Sequence, residues 1–289
     1  MDQFDGKVAV ITGAGSGFGR EFALKGAALG MKLVLADIDV KGLADTVEMA
    51  RSLGAEALGV PTDVSDANQV DALARATMDT YGAVHLLFNN AGVGAGGFVW
   101  ENSANDWAWV FGVNVMGVAN GVRAFTPLML AQNEPAHIVN TASVAGLLSA
   151  PAMGVYNASK HAVVALTETL YHDLKIAGAP VDCSLLCPAF VPTGIAQAER
   201  ARPDELRNEA PMTTSQQMAV KQLTKAVEGG KLSAKDVAEI TFDAVRERRF
   251  YVLTHPKILA SVQLRFDDVA QMRNPTDPLS LKPEVRGRT

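Results

Sequence analysis

Cysteine is nearly absent: Cys183 and Cys187 are the two in 289 residues, and both sit in the apolar run Val181 to Cys187. Four residues along a strand span about 13 Å, beyond disulfide reach, so both read as core residues. Histidine is sparse as well. His85, His137, His161, His172 and His255 lack zinc-like spacing, so no metal is assigned. His161 directly follows Lys160 and reads as helix surface. No apolar stretch is long enough to cross a bilayer, and no signal peptide precedes the first apolar run. A membrane partner is therefore not expected, and the cytoplasm is the expected location. Basic runs are missing too, and the net charge is −5, which argues against a nucleic-acid partner.

What is present is ample apolar material, 48% of the chain, arranged in alternation. Strand-like runs fall near 7–12, 32–36, 56–60, 84–88, 136–142, 181–187 and 250–254. Helical patterns fill the gaps, with long ones near 104–132 and 153–178. This alternation predicts an α/β fold, a single doubly wound parallel sheet of the Rossmann type with helices on both faces. One domain over 1–274 is expected, followed by an extended Pro-rich tail over 275–289. Ligands of such a sheet bind outside the C-terminal strand ends.

Chemistry-bearing residues cluster at those ends. Tyr156 and Lys160 are an i, i+4 pair and share a helix face. A lysine ammonium there stabilises a tyrosinate and lowers the phenol from its ordinary value near 10, making it a general base or acid near neutrality. Taken alone the pair reads as a solvated helix face; its surroundings decide otherwise. Ser143 ends the apolar run Ile138 to Ser143, where its hydroxyl can bind the same substrate oxygen as Tyr156. Near the N-terminus, Val8 to Thr12 runs into Gly13-Ala14-Gly15-Ser16-Gly17-Phe18-Gly19, and a helical pattern follows. Glycines there let a pyrophosphate approach the backbone, and the helix start offers free N–H groups to it. The second strand ends at Asp37, about 20 residues after the glycine loop, where a carboxylate can accept from both adenosine ribose hydroxyls and repel a 2′-phosphate. No Arg or Lys lies in Asp37 to Val40. This favours NAD, with NADP possible. Asp39 reads as the cap of the next helix.

Taken together these motifs resemble the short-chain dehydrogenase/reductase family, in its single-domain branch, over about Lys7 to Thr193. The resemblance rests on Thr12-Gly13-x3-Gly17-Phe18-Gly19, Asp63-Val64, Asn89-Asn90-Ala91-Gly92, Asn114, Ser143, Tyr156/Lys160 and Pro188-Ala189-Phe190-Val191-Pro192-Thr193. The 13-residue step from Ser143 to Tyr156 is the family's usual one. The resemblance implies a catalytic set of Asn114, Ser143, Tyr156 and Lys160, with Asn114 holding a water in a proton relay from Lys160. It implies that Gly13, Ser16, Gly17, Phe18 and Gly19 cradle the cofactor. Asp37 and Lys160 would bind its riboses, and Asp63 and Val64 its adenine. Asn90, Ala91 and Gly92 would pass beside a ribose, while Val191 and Thr193 fix the carboxamide. Ala189 stands where the family usually has glycine, and a small local adjustment is expected. Residues 194–232 would be a substrate lid, and a homo-oligomer, tetramer or dimer, is implied.

The implied activity is reversible hydride transfer between NAD(H) and a secondary alcohol or ketone, with Ser143 and Tyr156 contacting the substrate. Val93, Gly94, Ala95, Phe98, Val144, Leu147, Met153, Phe190, Ile195, Met212 and Met218 are expected near the pocket. They include no Arg or Lys, which favours a neutral, bulky or aromatic substrate. Gly112 to Gly117 and Ile195 to Arg200 resemble family members that oxidise bulky aryl carbinols. Two other readings stay open: an NADP-preferring carbonyl reductase, and a non-catalytic dinucleotide-binding redox sensor.

Overall fold

The structure is a computed structural model and describes residues 3–281. The first apolar run, β1 (Val8–Thr12), is buried at every position. A strand with no polar face must be covered on both sides, which is the situation of a central parallel strand. The chain then alternates through α1 (Gly17–Ala28), β2 (Lys32–Asp37), α2 (Val40–Ser52), β3 (Ala57–Pro61), α3 (Ala67–Tyr81) and β4 (Leu86–Asn89). It continues with α4 (Ala104–Phe111), α5 (Gly117–Gln132), β5 (Ala136–Thr141), α6 (Gly154–Ile176), β6 (Val181–Cys187), α7 (Thr214–Glu228), α8 (Ala234–Glu247), β7 (Tyr251–Leu253) and α9 (Leu259–Ala270). All seven expected strands form, in one sheet of order β3-β2-β1-β4-β5-β6-β7, with every pairing parallel. The order reverses between β1 and β4, which opens a crevice at their C-terminal ends.

Two apolar layers sandwich the sheet. On one face, residues of α1, α2 and α8 pack over Phe22, Phe88 and Phe242. Phe22 stacks on Phe88 at 4.5 Å between centroids, and Phe88 meets Phe242 at 5.6 Å. On the other face, α3, α5 and α6 cover Val34, Leu87 and Ile138 with Val70, Phe125 and Leu170. Helix starts follow the local chemistry. Asp39 caps α2 by accepting from the Gly42 N–H, and Ser233 with Asp236 closes a capping box on α8, each cap worth about 1 kcal/mol.

The helix expected over 104–132 is not uniform. Between α4 and α5, Gly112–Met116 forms a π-helical turn. Contacts distant in sequence converge on it: Gly117 packs so close that a Cβ would lie 2.6 Å from Val64 Cγ2, and the Asn114 side chain points inward into hydrogen bonds. The segment 194–232 contains less regular helix than its composition suggests. Gly194–Ala201 and Asp204–Leu206 are 3-10 turns, and α7 alone is α-helical there.

Past β7, α9 was not expected. It rests on the body through Ile258 and Val262 against Leu148. The chain after it turns back: the Thr276 N–H donates to Asp268 Oδ2 at 2.8 Å, and Arg273 pairs with Asp268 at 2.9 Å. Residues 275–281 of the expected tail are thus held against α9, with Pro278 and Leu279 on the wall of the main cleft. Residues 282–289 lie outside the described residues. Cys183 and Cys187 are buried free thiols pushed up to about 12 by burial. His161 is half-buried rather than on the surface, and its Nδ1 meets the Asn157 carbonyl oxygen one turn back on α6 at 2.9 Å. Among the described residues no helix is long and apolar enough to cross a membrane, and no cluster of His, Cys, Asp or Glu could hold a metal ion.

Candidate active site

The C-terminal strand ends open into one cleft of about 2040 Å³. Leaving β5, the chain reaches Ser143, whose Oγ accepts from the Ala145 N–H at 3.1 Å and donates to the Pro188 carbonyl at 3.3 Å. That bond ties the end of β5 to the end of β6. α6 brings Tyr156 and Lys160 against it. The Ser143 side chain hydrogen-bonds the Tyr156 hydroxyl, and Tyr156 stays partly exposed to the cleft. Lys160 is buried, donates from Nζ to the Thr141 carbonyl at 2.9 Å, and stands 5.8 Å from the Tyr156 ring centroid.

Burial sets the electrostatics of this pair. It pushes the phenol of Tyr156 above its ordinary value, opposed by the Ser143 hydrogen bond. It pushes the Lys160 ammonium down to about 8. Both groups are thus held towards their neutral forms, and desolvation outweighs the mutual help that the i, i+4 spacing suggests.

Asn114 sits in the π turn with no exposed surface. Its Oδ1 accepts from the Val93 N–H at 2.8 Å, and its Nδ2 donates to the Val93 carbonyl at 2.9 Å and to Ser159 Oγ at 3.0 Å. Its side chain is committed to the loop after β4 and to α6. It thereby presses that loop onto the site: a Cβ on Gly92 would lie 3.5 Å from Lys160 Nζ, and one on Gly94 3.5 Å from the Tyr156 ring.

Across the crevice stands a glycine cradle. Gly13 and Gly17 adopt φ of +66° and +53°, open to glycine at little cost. A Cβ on Gly13 would meet Ala91 Cα at 2.8 Å, and one on Gly15 would meet Asp37 Oδ2 at 2.9 Å. The Asp37 carboxylate accepts from the Gly15 N–H at 2.7 Å and from the Asp39 N–H at 2.9 Å, while burial raises it. Val64 is fixed through its carbonyl by Asn120 at 2.9 Å, and Asp63 accepts from the Ser65 hydroxyl at 2.7 Å. Thr193 lies beside Gly17, and Val191 is buried beneath. Gly13, Ser16, Gly17, Phe18, Asp37, Asp63, Val64, Asn90, Ala91, Gly92, Val191 and Thr193 all line the cleft, together with Ser143, Tyr156 and Lys160. Gly19 and Asn114 stand behind the wall, Gly19 packed on the Gly13 carbonyl. Ala189 is not among the residues with positive φ, so its side chain strains nothing.

The cradle fits a dinucleotide: glycine-bared backbone at a helix start, an acceptor carboxylate at the end of β2, and a lysine at the far end. Sequence reasoning missed the residues that hold it together. Thr12 Oγ1 accepts from the N–H groups of Asn90 at 2.9 Å and Ala91 at 3.2 Å, clamping two loops. Arg20 reaches from α1 to the Gly15 carbonyl and to Thr46 Oγ1 at 3.0 Å. Thr12 directly precedes Gly13 and so carried a local signal. Arg20 carried none.

The substrate end differs from expectation in two ways. Phe98 stacks on Trp100 at 5.0 Å on the outer surface, Leu147 packs into the core, and Met218 faces outward, so none of the three lines the cleft. Conversely, cationic residues that the sequence reading did not place at the pocket do line it: Arg200, Arg202, Arg207, Lys225, Lys231 and Lys257. Arg202 is neutralised, buried on Asp106 at 2.7 Å and over the Trp109 ring at 4.2 Å. These cations come from the segment 194–232 and from the turn after β7, distant in sequence from the strand ends, which is why local patterning did not reveal them.

The family model described as short chain dehydrogenase matches residues 7–204. The chain belongs to the short-chain dehydrogenase family. A family member from Lactiplantibacillus plantarum, "CLA biosynthesis dehydrogenase/reductase", is 36% identical over 259 residues, 89% of this chain and 91% of that one. "C alpha-dehydrogenase" of Sphingobium sp. is 30% identical over 290 residues, covering 99% and 93%. A solved short-chain dehydrogenase/reductase from Burkholderia phymatum in complex with NAD is 72% identical, with a TM-score of 0.96, covering 97% of this chain and 100% of that one.

Proposed function

We propose that the chain is an NAD-dependent oxidoreductase acting reversibly on a bulky, largely apolar secondary alcohol or its ketone. The observation that carries this reading is one cleft that joins the glycine cradle and Asp37 to the hydrogen-bonded Ser143–Tyr156 pair beside buried Lys160. The NAD-bound relative at 72% identity supports the cofactor.

Bound NAD would supply the hydride acceptor. The protein's own part is proton transfer and positioning. Ser143 turns its hydroxyl proton from the Pro188 carbonyl to the substrate oxygen, and Tyr156 as phenolate takes the hydroxyl proton in oxidation or, protonated, returns it in reduction. Lys160 favours the phenolate through its charge and binds the nearby ribose. Asn114 acts by holding the loop at Val93, and through Ser159 it keeps α6 in register with that loop. Asp37 binds the adenosine ribose and repels a 2′-phosphate. The apolar wall from Ala95, Val144, Met153, Phe190, Ile195 and Met212 excludes water from the reacting atoms. Lys225, Lys231 and Lys257 on the rim form no ion pair among the described residues, which favours as a second reading an alcohol with a remote anionic group. We further propose a homo-oligomer in the cytoplasm, assembled through α4–α5 and α6, which expose Met116 and Ile176.

The test is absorbance at 340 nm with NAD and NADP against secondary alcohols of matched size, neutral and carboxylated. Reduction of NAD by bulky alcohols supports the first reading, and preference for the carboxylated set supports the second. Tight dinucleotide binding without turnover of any alcohol or ketone would favour the sensor, and preference for NADP the carbonyl reductase.

A further inference from the structure

The lid delivers an unpaired cation to the rim of the glycine cradle. Gly194–Ala201 leaves the end of β6 as a 3-10 run, and its last turn carries Arg200. The Arg200 Nη2 lies 3.4 Å from Ser16 Oγ, a contact between residues 184 apart in sequence. Gly194 makes room for it: a Cβ there would lie 3.1 Å from both Nη1 and Nη2. The neighbouring arginine is already engaged, since Arg202 pairs with Asp106 at 2.7 Å and with Glu199 at 2.8 Å. Arg200 makes no ion pair among the described residues, and its recorded acceptor is a neutral hydroxyl.

The opposing surface has the same polarity. α1 begins at Gly17 with no acidic residue in its first turn, and the Ser16 side chain makes no capping bond. Free N–H groups at the helix start, the Ser16 hydroxyl and the Arg200 guanidinium therefore converge from two sides. All are donors, and no carboxylate among the described residues pairs with the guanidinium. A guanidinium fork matches two phosphate oxygens and is less strongly hydrated than an ammonium, so it suits a half-open site of this kind.

We propose that Arg200 grips the pyrophosphate of the bound dinucleotide and so makes cofactor binding draw the lid over the cleft. This deepens the dinucleotide reading above and rests on it. Arg200 thus acts as a cofactor-binding residue carried by the lid, and the lid's position becomes linked to occupancy of the cradle rather than to substrate alone. The linkage is reciprocal: whatever ADP-ribose gains from Arg200, the closed lid gains from ADP-ribose.

The test uses ADP-ribose, which carries the pyrophosphate, and adenosine, which lacks it, with calorimetric titration of wild type, Arg200→Met and Arg200→Lys. Arg200→Met is expected to weaken ADP-ribose about tenfold, the scale of one charge-assisted contact, and to leave adenosine unchanged. Arg200→Lys should fall between. In wild type, ADP-ribose should protect the 194–212 segment from thermolysin, and in Arg200→Met that protection should shrink. Equal ADP-ribose affinity in wild type and Arg200→Met would overturn the proposal and leave the dinucleotide reading standing. Equal losses for ADP-ribose and adenosine would mark a structural role and also overturn it. A wild type that binds no ADP-ribose would overturn both.

Discussion

Replacing Lys160 with methionine should make the protein more stable and inactive. Lys160 is 3% exposed, donates to a single carbonyl, and has its ammonium pushed from 10.5 down to about 8 by burial. The 2.5 pH-unit difference (10.5 minus 8) corresponds to about 3.4 kcal/mol of unfavourable charge burial at neutral pH, at about 1.36 kcal/mol per unit. Methionine of similar length removes that cost but abandons the bond to the Thr141 carbonyl, worth about 1 kcal/mol. A net stabilisation of about 2 kcal/mol is expected at pH 7. The sign of its pH dependence follows from linkage. The unfolded lysine holds its proton up to about 10.5 and the folded one up to about 8, so the unfolded state binds more protons between those values. Wild-type stability relative to the variant is therefore flat below pH 8, rises through the window by about 1.4 kcal/mol per unit, and levels above 10.5. Cys183 and Cys187 destabilise the fold as pH rises past 9, but they are present in both proteins and cancel in the difference. Urea titrations of both proteins at pH 7, 8, 9 and 10 measure it. A destabilised variant at pH 7, or a difference that does not change with pH, would refute the idea that the site stores an unfavourable charge for catalysis.

Tyr156→Phe should lower turnover at least ~100-fold, the low end for a general acid or base, while NADH binding followed by fluorescence stays within about twofold; substantial residual activity would sink the catalytic assignment. Because burial raises the Tyr156 phenol above its ordinary value of 10, alcohol oxidation should speed up with rising pH across pH 6 to 10, while ketone reduction, which uses the protonated phenol, should show no loss from this group over the same range, read from initial rates in both directions. Asp37→Ala should weaken NAD and narrow the gap to NADP in titrations of both cofactors, and should cost about 1–3 kcal/mol of stability by orphaning the Gly15 N–H. Deleting 275–289 should leave the fold intact, because β7 and α8 close the sheet without it. It should instead raise KM for bulky alcohols, since Pro278 and Leu279 leave the cleft wall; light scattering and a melting curve on the truncated protein check the assembly and the fold.

The sequence by itself determined the sheet and which candidate site residues stand at its edge. Strands such as Val8–Thr12 are apolar on both faces, a local property that forces central burial whatever surrounds them. The glycine loop, Asp37, Ser143 and the Tyr156/Lys160 pair were legible for the same reason. Each is defined by spacing along one strand end or one helix face, and short-range geometry fixes spacing. Tertiary structure decided what depends on neighbours distant in the chain. It turned Lys160 and Tyr156 towards their neutral forms, because desolvation comes from everything packed around them. It set a π turn at Asn114, whose side chain bonds Val93 and Ser159 at once. It sent Phe98 outward and brought Arg200 across 184 residues to Ser16. Long-range packing leaves no period in the sequence, so the cradle could be read and the residues that close over it could not.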